Sequence, residues 1–135
     1  MDITKRADVP RSLKMWFVVH FFADILFAIP MFFLPVKFFT ALGWEQIDPI
    51  ATRMVAAALF GIGIESLLSR NATIDSFKTM LSLKIIWSTA ALAGLSWGLI
   101  AGVFGNTLVG ISLLGIFILF NILWTYWYIR LNKNL

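Results

Sequence analysis

The sequence predicts an all-α integral membrane protein: a bundle of four transmembrane helices forming a single domain over residues 1–135, with a short interfacial segment after the first helix. Three observations lead there. Hydrophobic residues make up 60% of the 135 and charged residues only 13%, with a mean hydropathy of +0.88. A soluble domain of this size keeps too large a share of its surface in water to hide that much apolar area. The apolar residues also fall into runs of about 20, the length a helix needs to cross hydrocarbon. Finally, helix-start and helix-stop residues gather in the short polar links between those runs, leaving no chain for a soluble domain.

The elements follow in order. The polar, basic arm of residues 1–14 carries Asp8 and Pro10 as start signals for the first helix and Lys14 as an interfacial anchor. The first span covers residues 16–34, with Pro30 a potential kink and Pro35 the expected terminator. This run is too long for the core of a signal peptide and no small-residue cleavage site follows it, so it is expected to be retained. Residues 36–44, VKFFTALGW, are amphipathic and aromatic and are predicted to lie along the headgroups, anchored by Trp44. Asp48-Pro49 joins an N-cap residue to a proline at the first helical position and opens the second span, residues 50–69. The polar link after Arg70 is short, so spans two and three form an antiparallel hairpin. Asp75 or Ser76 is expected to cap the third span, which runs from residue 77 to about 101. A turn over residues 102–106 leads to the fourth span, residues 107–129, which ends in Trp124, Tyr126, Trp127, Tyr128 and Arg130.

Basic residues set the orientation. Lys5, Arg6, Arg11, Lys14, Arg70, Lys78, Arg130 and Lys133 fall on one side, whereas Lys37 and Arg53 fall on the other beside Glu45 and Asp48. The positive-inside rule then predicts a multi-pass protein of the cell membrane with both termini cytoplasmic. The Asn71-Ala72-Thr73 triplet matches a glycosylation acceptor, but that topology makes it a chance match.

Composition also excludes chemistry. The chain has no cysteine, which removes disulfides, thiolate catalysis and cysteine-bound metal clusters. One histidine, His20, cannot build a multi-histidine metal or haem site. No cofactor is implied. The net charge of +4 comes from residues at helix ends, so no nucleic-acid partner is expected. No internal repeat points to an inverted-repeat transporter.

The informative residues are polar ones inside apolar runs: His20 and Asp24 in the first span, Glu65 in the second, Lys84 in the third and Asn121 in the fourth. A charge at a helix centre costs roughly 2.5–3.5 kcal/mol on insertion scales, so such groups turn toward a bundle interior, a cavity or a partner. At about 1.5 Å per residue, His20, Lys84 and Glu65 lie ~8–9 Å in from their basic anchors, and Asp24 and Asn121 ~14–15 Å. All four spans thus bring polar groups to one layer in the cytoplasmic half. Facing agrees, since His20 and Asp24, Lys84 and Ser88, and Asn121 and Thr125 are each four apart. Glu65 continues a stripe of small residues, Ala57 and Gly61. These relations predict a buried cluster of ligand-binding or proton-relay residues, with a central Glu65–Lys84 ion pair and Asp24–His20 beside it. The competing reading is that an ion pair and an asparagine serve only as packing glue. Arg53 is expected to snorkel outward or pair with Asp48 or Glu45. Ala90, Gly94, Gly98 and Gly102 form a small-residue ladder for close helix packing, within the bundle or between copies.

Three functions are compatible with this pattern. The first is a binding or accessory subunit, holding a hydrophobic or lipid-like molecule or docking onto a larger membrane complex. Its partners would be membrane lipids, further copies of the chain or that complex. The second is a proton- or ion-coupled transporter of small solutes acting as an oligomer. The third is a membrane enzyme using Asp24 or Glu65 with His20 as acid and base on a lipid. No serine nucleophile, metal constellation or nucleotide-binding loop accompanies these groups, so catalysis ranks last. In two positions and in helix count, Asp24 and Glu65 make the chain resemble the sterol-isomerase and sigma-2 receptor group. The further histidine and proline-flanked acidic motif of that group are missing, and no function is carried across.

Overall fold

The computed structural model describes residues 8–133, so Lys5 and Arg6, counted above for orientation, lie outside the described residues. The described chain is helical throughout, with four long helices and one short one. These are α1 (Arg11–Phe33), α2 (Pro35–Ala41), α3 (Pro49–Leu68), α4 (Ile74–Ile100) and α5 (Thr107–Lys133). A single 3-10 turn, Ser69–Asn71, extends α3. All four long helices are long and apolar enough to cross a membrane.

Local chemistry sets the helix ends. Pro10 precedes the first turn of α1, where a missing N–H costs nothing. Pro30 is accommodated inside α1, and its carbonyl still accepts from Leu34 N at 2.9 Å. Pro35 ends α1 and also starts α2, because its fixed φ suits a first helical position. Asp48 caps α3 as expected, its Oδ1 accepting from Ile50 N at 2.8 Å and Ala51 N at 3.1 Å. Thr73 rather than Asp75 or Ser76 caps α4. Its Oγ1 accepts from Ser76 N at 3.4 Å, which leaves Asp75 in the first turn, where an acid favours the helix dipole. Asn106 caps α5 in the same way, through Leu108 N and Val109 N. Gly102, at φ +67°, ends α4 in the left-handed conformation that glycine adopts without strain.

The helices associate as two close pairs, α1 with α3 and α4 with α5. On the side of the chain termini the pairs meet through an aromatic core. Phe17, Phe77, Leu13, Leu81 and Trp124 are all at most 1% exposed there. The Phe17 ring lies 4.6 Å from Phe77 and edge-on to Trp124 at 5.7 Å. A second, smaller core joins Ala28 and Met31 of α1 to Ala56 and Leu59 of α3, with Phe38 and Phe39 of α2 packed on it. On this same side Trp44 packs on Phe104 at 4.7 Å, tying the α4–α5 turn to the segment after α2. Outward faces stay apolar: none of the four long helices buries more than 28% of its most hydrophobic stretch, and Leu26, Trp97, Ile100 and Leu108 are all more than 70% exposed.

Candidate functional site

Between the two cores lies a polar layer. Along α1 the inward positions are Leu13, Phe17, His20, Asp24, Ala28 and Met31, a helical spacing that sets His20 and Asp24 between aromatic and aliphatic packing. On α4 the inward face is Phe77, Leu81, Lys84 and Ser88. His20, Asp24 and Lys84 are 8%, 7% and 2% exposed, so three ionisable side chains are withdrawn together from the surroundings.

Lys84 Nζ is held on several sides. It donates to Ser66 Oγ at 2.6 Å and lies 3.0 Å from His20 Nδ1. Ser66 in turn donates to Ile62 O. The ammonium also sits 5.1 Å from the centre of the Phe17 ring and 5.2 Å from that of Trp124, within cation–π range. The His20 ring is fixed edge-on against Phe120 and Trp124.

Asp24 completes the group. Its Oδ2 approaches His20 Nδ1 to 2.9 Å, yet the direction of approach does not make a hydrogen bond, and Oδ2 has no other donor. Gly63 makes room for this carboxylate. A Cβ there would stand 2.8 Å from Asp24 Cβ and 3.2 Å from Oδ2, so only glycine lets α3 close on α1 at this level.

A separate polar clamp joins α4 to α5. Asn121 Nδ2 donates to Ser88 Oγ at 2.8 Å, Thr89 Oγ1 at 3.0 Å and Ile85 O at 3.4 Å. Thr125 stands outside both polar groups.

Several sequence expectations change here. Glu65 does not pair with Lys84. It is exposed and accepts from Ser69 Oγ one turn along its own helix. Ala57 and Gly61 are exposed with it, because the inward face of α3 is the opposite stripe Thr52, Ala56, Leu59, Gly63 and Ser66. Ser66 therefore takes the place given to Glu65. Arg53 pairs with neither Asp48 nor Glu45; its Nε donates to Phe32 O at 3.0 Å, satisfying a carbonyl in the last turn of α1. The ladder on α4 does not make one contact face. Ala90 and Gly94 are exposed, Gly98 is buried against Phe104, and Gly102 serves the helix end.

Above the polar layer a cavity of about 460 Å³ lies between the two helix pairs, within the range that small-molecule sites occupy. Its walls are almost wholly apolar, including Phe27, Leu59, Trp87, Leu113 and Phe117. His20, Asp24, Lys84 and Ser88 reach one end; Phe38, Phe39, Leu42 and Trp44 of α2 and its following segment close the other. Sequence reading missed this role for α2, whose aromatic residues were assigned to headgroups alone. Among the described residues no three His, Asp or Glu side chains gather to hold a metal.

The comparisons with known proteins add no relative: no protein-family model matches the chain, and no curated protein or solved structure matches it either.

Proposed function

We propose that this chain is a multi-pass protein of the cell membrane, both termini cytoplasmic, that holds a hydrophobic or lipid-like molecule between its helix pairs. The apolar outward faces support the membrane setting, since those side chains have no favourable contact with water. The excess of basic residues at the ends of α1, α4 and α5 on one side supports the orientation. One observation carries the binding reading: a cavity of about 460 Å³ with apolar walls and ionisable groups at one end only. Such an arrangement suits an amphiphile, with walls taking its body and the polar end fixing its direction.

The test is release and re-binding. Protein purified in a mild detergent should carry a hydrophobic molecule at about one per chain in native mass spectrometry. Ala91→Phe, which fills the cavity from α4, should strip it while leaving the helical circular dichroism unchanged. Equal occupancy in wild type and in this filled variant would refute the cavity as the site. The absence of cysteine makes single-cysteine labelling of the loops a clean test of orientation.

The contact chain Asp24–His20–Lys84–Ser66, which joins three helices, favours proton-coupled transport as a second reading. Proteoliposomes showing no proton or solute flux would remove it.

A further inference from the structure

His20 Nδ1 is one atom facing two partners, Asp24 Oδ2 at 2.9 Å and Lys84 Nζ at 3.0 Å. A neutral imidazole can answer only one of them. With a proton on Nδ1, the ring turns its N–H toward the Asp24 side, where the approach still makes no hydrogen bond, and gives the ammonium no lone pair. With Nδ1 bare, Lys84 has its acceptor and the Asp24 oxygen is left facing another lone pair. In either tautomer the group is at least one hydrogen-bond partner short, and Asp24 Oδ2, on a side chain 7% exposed, has no hydrogen bond at all. A buried polar atom left in that condition keeps its desolvation penalty uncompensated, and more so when charged. The deficit lies at the polar end of the apolar cavity, which Asp24, His20 and Lys84 all line.

We infer that the cavity takes a neutral amphiphile with a hydroxyl head, an inference resting on the ligand-holding reading above. The head sits against Asp24, His20 and Lys84, and the body extends toward α2. A hydroxyl both donates and accepts, so it supplies the missing partner in either histidine tautomer. An anionic head answers Lys84 only and is repelled by Asp24. A cationic head answers Asp24 only and is repelled by Lys84. The carboxylate and the ammonium balance, so the site rewards a head without net charge. Along α1 the distance from His20 to Met31, both lining the cavity, is about 16 Å at the helical rise, which requires an elongated molecule.

The test uses four probes of one chain length: 1-dodecanol, 1-chlorododecane, dodecylammonium and dodecanesulfonate. They compete for wild-type protein in native mass spectrometry, beginning from delipidated sample. Dodecanol should bind at least about tenfold more tightly than each of the others, the equivalent of one net hydrogen bond to a charged group. Asp24→Asn, checked for folding by circular dichroism, should then raise the affinity of dodecanesulfonate relative to dodecanol by about tenfold. Equal binding of dodecanol and chlorododecane, or tighter binding of either charged probe to wild type, overturns the hydroxyl inference while the ligand-holding reading stands. Failure of all four chains to bind overturns both.

Discussion

Replacing Lys84 by methionine tests the polar layer most searchingly. The substitution nearly keeps the volume of the side chain and removes its charge. Lys84 Nζ makes contacts at 2.6 Å to Ser66 and 3.0 Å to His20, both lost in Lys84→Met. Ser66 keeps its bond to Ile62 O, so its loss is small. The larger effect falls on Asp24, which stays buried with the nearest positive charge gone. Removing one member of a buried charged group costs about 3–5 kcal/mol. Asp24→Asn alone leaves the ammonium with Ser66, His20 and two aromatic faces, so about 1–3 kcal/mol is expected. In the double variant no unopposed charge remains. Its destabilisation should fall short of the sum by at least about 1 kcal/mol, a coupling above the average of membrane hydrogen bonds. Reversible unfolding in mixed micelles, titrated with a denaturing detergent, measures all four corners of the cycle. Additivity within about 0.5 kcal/mol would refute the reasoning. Asp48→Asn combined with Lys84→Met is the control, and it should be additive because Asp48 caps the end of α3 remote from the polar layer.

The remaining predictions use the same unfolding assay. Gly63→Ala should destabilise by about 1–3 kcal/mol because its Cβ meets Asp24 Cβ at 2.8 Å, whereas Gly61→Ala, with nothing within 4 Å, should be neutral or slightly stabilising; equal effects would contradict the assigned face of α3. Asn121→Ala should cost about 0.6–1.7 kcal/mol through loss of its bonds to Ser88, Thr89 and Ile85, and an unchanged midpoint would mean the α4–α5 clamp contributes nothing. Asp48→Ala should cost about 1 kcal/mol by uncapping α3 at Ile50 N and Ala51 N, with Asp48→Asn largely retaining the cap.

How far the sequence discloses this arrangement differs from helix to helix. The spans were legible because apolar length and capping residues are local signals; Asp48-Pro49 named the start of α3 to the residue. The inward faces of α1 and α4 were legible too, because His20 and Asp24, and Lys84 and Ser88, each repeat at four residues and have costly side chains to hide. On α3 the same logic selected the wrong stripe. Ala57, Gly61 and Glu65 centre about 180° of helix rotation away from the buried stripe Thr52, Ala56, Leu59, Gly63 and Ser66, at about 100° per residue. Both stripes have helical spacing, and what decides between them is the notch at Gly63 that receives Asp24, a tertiary fact. An acid outranks a serine in insertion cost, yet Glu65 lies one turn from the end of α3, where Ser69 can meet it. The cavity was not legible at all, because it depends on how two helix pairs sit against each other and on the placement of α2 across its end.

The central claim is that Lys84 faces the bundle interior while Leu83 beside it faces the surroundings. Nuclear magnetic resonance of selectively labelled protein in nanodiscs, doped with a lipid carrying a nitroxide in its acyl chain, reads this directly. Leu83, 51% exposed, should broaden strongly while Lys84, 2% exposed, and the His20 ring keep their signals. Comparable broadening of Lys84 and Leu83 would contradict the account.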